Sequence, residues 1–359
     1  MVLLRHPLLA SSPASKPPGI FGTSGAGLQR ISRGSLRRIV LRQDTLHDAS
    51  HSPSMVSRRA RPEPFRNGRT VTLPRITVVV STYNSPRYLE LVLTGLVSQT
   101  VSDFKVIVAD DGSTEETRFV IDSFFPRLNL LHCWQKDAGF RLAAVRNLAL
   151  SNVSTELVAF LDGDCIPHRN YVADILHCFN ALEKRRAYLQ GHRVILDKAF
   201  SERLAADGSP ALPSLGLLAR NVFHFSNRFN AIRRPFFPRV HFRLKGVRGC
   251  NMAFRMEDLV AVNGFDESFE GWGHEDQDLV RRLFASGVGR CEVRGRMIVY
   301  HLYHPEHDRD AAEENLLRAR SPRPARAAAG IVRGNPNVVC SKFTEATRKK
   351  DREISRRPR

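Results

Sequence analysis

The chain of 359 residues predicts an α/β fold built on an open, mostly parallel sheet. Short β-branched runs alternate with segments of helical apolar period between residues 75 and 162, the pattern typical of such sheets. Polar clusters follow directly after the apolar runs, at the carboxyl ends of the predicted strands. Ligands of open α/β sheets bind at these ends, so the sequence predicts a binding site there.

The first predicted strand begins at Arg75 and runs into the polar turn that ends at Asn84. Ser85 and Pro86 then open a helix, as N-cap and first helical residue. Later strands are predicted at 104–109, 128–134 and 157–161, and later helices at 115–124 and 141–150.

The formal net charge of +19 is confined to the two ends of the chain. Residues 1–75 and 318–359 each hold 13 basic and 3 acidic residues, whereas 76–317 holds 29 basic and 30 acidic ones. We therefore expect a neutral folded body, with no nucleic-acid partner, between disordered basic tails at 1–74 and 318–359. The N-terminal tail also has the composition of a transit peptide, and translation starting at Met55 is a further alternative.

No apolar run approaches the roughly 18 residues of a membrane-spanning helix, and the six cysteines show no metal-ligand spacing. The sequence predicts a cytoplasmic protein whose basic tails can contact the anionic inner face of a membrane.

Asp162 and Asp164 follow a buried strand and bracket Gly163. Side chains two apart on a strand share a face, so both carboxylates can point the same way. Hard oxygen ligands in this position suit Mg²⁺ or Mn²⁺ bound to a substrate diphosphate. A simple solvated turn is the alternative for the tripeptide alone.

The other strand ends offer nucleotide-binding groups. The Tyr83 ring can lie against a base, and the Asp111 carboxylate can accept from a base N–H or a ribose hydroxyl. Lys136, Arg141 and Arg146 can face a diphosphate. A tight turn at Asp111 and a solvated helix face for the basic residues remain the alternatives.

A second constellation covers 264–278 and opens a helix after Gly273. Asp276 is expected on the same face as Leu279 and Val280, whereas its neighbours 275, 277 and 278 are expected to point elsewhere. Free N–H groups at a helix N-terminus keep such a carboxylate ionised, which suits a general base. The alternative is that these acids only offset the helix dipole.

Residues 186–248 are less informative. A strand is predicted over 187–196. The segment 221–243 interleaves Arg with Phe, which indicates an acceptor-side loop, a membrane-facing patch or ordinary packing.

Four motifs of the first half resemble the nucleotide-sugar half of family 2 glycosyltransferases, whose GT-A fold is a Rossmann-like open sheet with an acceptor-side subdomain. They are Val80-Ser-Thr-Tyr-Asn84, Ala109-Asp-Asp-Gly-Ser113, Asp137 to Asn147 and Phe160-Leu-Asp-Gly-Asp164. The resemblance implies that Thr82, Tyr83 and Asp111 bind uridine; Arg141 and Arg146, which can face the diphosphate, are assigned to nucleotide binding as well. It also implies that Asp162 and Asp164 hold a metal and the nucleotide sugar.

Residues 245–254 and 264–278 resemble the catalytic domains of chondroitin polymerases and β-1,4-galactosyltransferases. That resemblance implies that Asp276 is the base of an inverting reaction. Trp272, Glu275 and Asn251 are assigned to acceptor binding on the same grounds. A histidine after the strand that begins at Arg296 completes the metal site; by register this is His301, with His304 as the alternative, and a His ligand favours Mn²⁺ over Mg²⁺.

The sequence therefore predicts a metal-dependent, inverting transferase that moves a hexose or N-acetylhexosamine from a UDP-sugar to a saccharide or lipid-linked acceptor. The expected role is synthesis of a cell-surface polysaccharide or glycoconjugate. Residues 75–185 are the predicted donor half, and 186–317 the acceptor and catalytic-base half. A nucleotidyltransferase and a non-catalytic sugar- or nucleic-acid-binding protein are the alternatives.

Overall fold

A computed structural model describes residues 75–207, 225–305, 310–331 and 338–342. Its first half alternates strands and helices as the sequence predicts. The elements are β1 Ile76–Thr82, α1 Pro86–Val97, β2 Lys105–Asp110, α2 Glu115–Phe124, β3 Leu130–Gln135, α3 Leu142–Ser151 and β4 Leu157–Asp162.

The second half is less regular and contributes to two sheets. Its strands are β5 Cys165–Pro167, β6 Ala187–Gly191, β7 Arg193–Leu196, β8 Phe225–Ser226, β9 Val240–His241, β10 Asn251–Arg255, β11 Gly289–Val293, β12 Val299–His301 and β13 Val338–Lys342. Its helices are α4 Tyr171–Leu182, α5 Lys198–Asp207, α6 Met256–Ala261, α7 Glu275–Ala285 and α8 Ala312–Arg320, with a 3₁₀ turn at Arg228–Ala231.

The larger sheet has the order β13-β3-β2-β1-β4-β10-β6-β11-β9. Strands β3, β2, β1 and β4 are all parallel. Strand β10 lies antiparallel between β4 and β6, and β11 is parallel to β6. Since β10 comes from the predicted acceptor half, both predicted halves share this sheet.

Strand β1 is buried on both faces, as expected for a central parallel strand. Val78 and Val80 pack into an apolar cluster with Leu89 of α1. Val79 points to the opposite face and packs into a cluster with Val145 of α3 and residues of α7. The sheet therefore lies between two helical layers, and its strand ends are left for the site.

The predicted single strand over 187–196 is wrong, because the chain changes sheet after Gly191. Strand β6 belongs to the large sheet, whereas β7 joins a smaller sheet of order β5-β12-β7-β8. Gly191 packs directly against the side chain of Asn251, where a Cβ would collide. The chain turns away at this close contact.

The predicted C-terminal tail includes regular structure. Helix α8 ends at Arg320, within the range 318–359, and β13 pairs antiparallel with β3. Ala327 N–H donates to the Val262 carbonyl at 3.0 Å, so the chain after α8 packs on the body. The remaining tail predictions, including membrane contact, lie outside the described residues. Within the described residues, none of the helices is both long enough and apolar enough to cross a bilayer.

Candidate active site

The carboxyl ends of β1, β2 and β4 meet at one edge of the large sheet. In the register, Thr82 lies beside Asp110 and Ser81 beside Asp162. Asp111 N–H donates to the Thr82 carbonyl at 3.0 Å, and Gly163 N–H to the Ser81 carbonyl at 2.7 Å. The parallel sheet thus brings Thr82, Asp111 and Asp162 together.

Asp111 is a buried acceptor held by two donors. Its Oδ1 accepts from Gln135 Nε2 at 2.5 Å, and its Oδ2 from the backbone N–H of Arg141 at 2.7 Å. Burial raises the pKa of the Asp111 carboxyl, and the two donors oppose this rise. Arg141 thus meets Asp111 through its backbone, while its guanidinium donates to the Lys136 carbonyl. Gln135 was missed in the sequence, where it reads as an ordinary strand residue.

Tyr83 and Thr82 lie beside Asp111 with different exposure. The Tyr83 side chain is 48% exposed, and its hydroxyl donates to Asp137 Oδ2 at 3.0 Å. This bond is the main reason that the pKa of Tyr83 is raised. Thr82 is buried, and its Oγ1 has no hydrogen-bond partner within the described part of the chain. The pair therefore presents an exposed ring and an unsatisfied hydroxyl at the same strand end.

Arg146 is buried between the two halves of the site, with 1% exposure. Its Nη2 lies 2.9 Å from Asp162 Oδ1, and its Nη1 lies 3.3 Å from Glu275 Oε1. The guanidinium also lies over the rings of Phe160 and Phe265, at 5.6 and 5.3 Å from their centroids. One cation thus connects the Asp-Gly-Asp turn to the start of α7.

Asp164, His301 and His304 form a cluster that could hold a metal ion, with one donor atom of each residue within 4.8 Å of the others. Asp164 Oδ2 lies 3.1 Å from His304 Nε2 and 3.7 Å from His301 Nε2. Strands β5 and β12 create this proximity, since His301 pairs with Cys165. Both histidines proposed as alternatives in the sequence are present.

Free donor atoms make this cluster suitable for a divalent ion. Asp164 Oδ1 and His301 Nδ1 are buried without a hydrogen-bond partner in the described structure. Burial opposes ionisation of Asp164, but the two histidines outweigh it and hold its pKa low. The hydrogen bond to Asp164 raises the pKa of His304 to about 9. A carboxylate with imidazoles is a donor set that fits Mn²⁺.

Asp162, the other predicted metal ligand, is not part of this cluster. Its Oδ1 is paired with Arg146, and its side chain is 31% exposed. Burial raises the pKa of Asp162, although Arg146 opposes the rise. The two carboxylates of the Asp-Gly-Asp turn therefore meet different partners, Arg146 for Asp162 and the two histidines for Asp164.

Helix α7 corrects the predicted orientation of its acidic residues. Glu275 and Asp278 are buried, whereas Asp276 is partly exposed. Glu275 contacts Arg146, and Asp278 accepts from Arg282 Nε at 2.8 Å. The expectation that 275 and 278 point away from the core was wrong, because buried arginines on two sides compensate their charges.

Asp276 faces the segment before β10. Arg146 and the backbone N–H groups of Gln277 and Gly249 act to lower the pKa of its carboxyl. Burial nevertheless outweighs these effects and raises the pKa of Asp276. Burial, with repulsion from Asp276, also raises the pKa of Glu275 to about 7. The two neighbouring carboxyls thus sit beside a single guanidinium.

The two other predicted acceptor residues differ in accessibility. Trp272 is 36% exposed at the approach to α7. Asn251 is fully buried, donates to the Met297 carbonyl at 2.8 Å and accepts from Tyr171 Oη at 3.1 Å. These contacts tie β10 to helix α4 and to the segment before β12, so they support a structural role for Asn251.

Two family models match consecutive parts of the chain. Residues 77–239 match the model described as glycosyl transferase family 2. Residues 232–307 match the model described as N-terminal domain of galactosyltransferase.

Curated relatives include a chondroitin synthase of Pasteurella multocida, 30% identical over 68% of this chain and 26% of that protein. A validoxylamine A glucosyltransferase of Streptomyces hygroscopicus is 30% identical over 62% of this chain and 54% of its own. The chain thus spans between about a quarter and about half of these relatives. Among solved structures, S. aureus TarS residues 1–349 aligns at 18% identity and a TM-score of 0.49, covering 68% of this chain and 63% of that one.

The family match, together with the large mixed sheet, confirms the predicted GT-A fold class. Residues 77–239 thus form a glycosyl transferase family 2 region, which continues into a galactosyltransferase-type segment at 232–307.

Proposed function

We propose that the protein is a metal-dependent, inverting glycosyltransferase that moves a hexose or N-acetylhexosamine from a UDP-sugar to a saccharide or lipid-linked acceptor. The role is synthesis of a cell-surface polysaccharide or glycoconjugate. Arg146 carries the proposal, because it contacts both Asp162, in the region matching family 2, and Glu275, in the galactosyltransferase-type region. The names of the relatives, a synthase and a glucosyltransferase, support sugar transfer.

The donor nucleotide binds at the edge formed by β1 and β2. The exposed ring of Tyr83 stacks on the uracil, and the unsatisfied Thr82 hydroxyl and the Asp111 carboxylate meet polar groups of the uridine. Gln135 and the backbone of Arg141 fix the orientation of Asp111. Asp162, held by Arg146, is assigned to the sugar and diphosphate side of the donor.

Asp164, His301 and His304 hold the divalent metal in this proposal, with Mn²⁺ preferred. When bound, that ion supplies positive charge against the diphosphate of the leaving UDP. Asp162 lies next to this cluster across Gly163, so the turn spans the metal side and the Arg146 side of the donor.

Asp276 is the proposed general base. It accepts the proton of an acceptor hydroxyl while that oxygen bonds to the anomeric carbon and the bond from this carbon to UDP breaks. Attack from the face opposite UDP inverts the anomeric centre. The raised pKa of Asp276 brings its basicity closer to neutral pH, which favours proton transfer. Trp272 offers an exposed aromatic face to the acceptor sugar.

Release of UDP from a panel of UDP-sugars, with Mn²⁺ and with chelator, tests this proposal. We expect turnover of one donor that needs metal, and a loss of about 10²-fold or more in Asp276→Asn, with UDP binding retained. Asp122→Asn, on the exposed side of α2, is the matched control and should keep wild-type rates. UDP binding that persists without turnover of any donor and acceptor pair would instead support a non-catalytic binding protein.

A further inference from the structure

A cationic cavity that the proposed chemistry does not use lies in the acceptor half. Its volume is about 360 Å³, and Arg193, Arg234, Arg248 and Arg294 line it. Phe229, which is 64% exposed, adds an aromatic face. No carboxylate belongs to its lining among the described residues.

The backbones of Arg234 and Arg294 are held next to each other. Arg234 N–H donates to the Gly295 carbonyl at 3.3 Å, and the Arg234 carbonyl accepts from Arg296 Nε at 3.2 Å. Gly295 has φ +70°, a conformation that favours glycine, and packs against the 232–234 segment. The 232–234 segment and the residues after β11 therefore bring Arg234 and Arg294 to one side of the cavity.

The backbones of the other two arginines, Arg248 and Arg193, are held by the side chains of Gln190 and Asn230. The amide of Gln190 accepts from Arg248 N–H at 3.3 Å and donates to the Arg248 carbonyl at 3.0 Å. Asn230 Nδ2 donates to the Arg193 carbonyl at 2.9 Å. The backbones of Arg193, Arg234 and Arg248 are thus fixed by hydrogen bonds, and Arg294 precedes Gly295, which accepts one of them.

The positive charge around the cavity exceeds the negative charge of Glu292, the carboxylate that contacts its arginines. Glu292 lies 3.5 Å from Arg294 Nη2 and 3.0 Å from Arg290 Nη2, so its charge is shared. Glu292 also lies 3.5 Å from His192, whose pKa is lowered, first by burial and also by nearby arginines. Like charges gathered at one cavity repel, and a bound anion relieves this repulsion. Guanidinium groups match carboxylate and phosphate oxygens with paired N–H donors.

The cavity adjoins the segment that contacts the proposed base. Arg248 directly precedes Gly249, which packs against the Asp276 side chain. Arg193 Nη1 lies 3.9 Å from Cys250 Sγ, on the same segment. We propose that this cavity binds an anionic group of the acceptor, a carboxylate or a phosphate, and so selects acidic acceptors. That the anion belongs to the acceptor rests on the proposed function, whereas the anion site itself does not.

Calorimetric titration of the full-length protein saturated with UDP tests the site, because UDP occupies the nucleotide pocket. Inorganic phosphate, glucuronate and glucose are the probes. We expect at least one anion to bind and glucose not to bind, and the stronger anion identifies the class. Arg234→Gln and Arg248→Gln should each weaken anion binding about tenfold or more, as expected for hydrogen bonds to a charged group. Arg118→Gln, an exposed arginine of α2, is the matched control and should bind as the wild type does.

Anion affinity that is equal in the wild type and both cavity variants would overturn the proposal, as would equal binding of glucose. Comparison of UDP-glucuronate with UDP separates the donor from the acceptor as the source of the anion. If the cavity variants weaken only UDP-glucuronate and no free anion binds beside UDP, the cavity serves the donor and the acceptor assignment is wrong. Failure of UDP itself to bind would count against the proposed function, while arginine-dependent phosphate binding would still support the site.

Discussion

Replacement of Arg146 by methionine tests the central electrostatic contact of the site. The change keeps an apolar side chain between the rings of Phe160 and Phe265 but removes the cation that faces Asp162 and Glu275. Removal of one partner from a buried ion pair costs about 3–5 kcal/mol, because the other charge is left uncompensated. We expect a loss of this size in the free energy of unfolding at pH 8.

The loss in the free energy of unfolding should be smaller at pH 5.5. This direction follows from the raised pKa of Glu275. Its pKa in the folded protein is about 7 against an ordinary 4.5, so the folded state binds more protons between these values. Stability from this group is therefore present below pH 4.5 and lost as the pH rises through about 7. Without Arg146 the folded pKa rises further, so the variant should lose more on going from pH 5.5 to pH 8 than the wild type does.

Urea unfolding at both pH values measures the effect. The double variant Arg146→Met/Glu275→Gln should recover part of the loss at pH 8, because one of the unpaired carboxylates is gone. Arg118→Met, at an exposed ion pair, should change the free energy of unfolding by less than about 0.5 kcal/mol. A cost below about 1 kcal/mol for Arg146→Met, or one that does not vary with pH, would refute the electrostatic reasoning.

Four further changes separate the roles assigned to the site. His304→Ala should weaken Mn²⁺ binding to the nucleotide-free protein, measured by calorimetry, by about tenfold or more. Asp162→Asn should weaken Mn²⁺ binding less. The reverse order would contradict a metal site formed by Asp164 and the two histidines. Asp111→Asn should weaken UDP binding about tenfold, and an unchanged Kd would remove Asp111 from the pocket. Asn251→Ala should lower the free energy of unfolding by about 1–3 kcal/mol, because Tyr171 Oη loses its acceptor; a change in acceptor KM without loss of stability would restore the predicted binding role.

Elements of the first half could be predicted closely from local pattern. The predicted helix at 115–124 is confirmed at Glu115–Phe124, and α1, predicted to begin at Pro86, begins there and buries an apolar stripe of Leu89, Val92, Leu93 and Leu96. Here the apolar period and the turn residues agree with the final burial. Strand ends moved by one or two residues, because pairing with neighbouring strands decides where a strand stops.

The second half shows where local pattern fails. The run over 187–196 has the composition of one strand, yet it is divided between two sheets after Gly191, which packs closely against Asn251, 60 positions away in the chain. A helical wheel predicted Asp276 inward and Glu275 outward, but the wheel contains no information about Arg146 and Arg282. Buried arginines from distant segments allow carboxylates to be buried as well, because charge compensation replaces water.

The sequence by itself determined the fold class, the order of the strands and helices in the first half, and the residue types that gather at the strand ends, because these depend on periodicity and on the rule that parallel strands end at one edge. Only the tertiary structure decided which side chains meet. It brought both His301 and His304 to Asp164, where the sequence had offered them as alternatives, bridged Asp162 and Glu275 through Arg146, and assembled four arginines around one cavity. Such contacts link residues far apart in the chain, and their charges are compensated only once the sheets have formed.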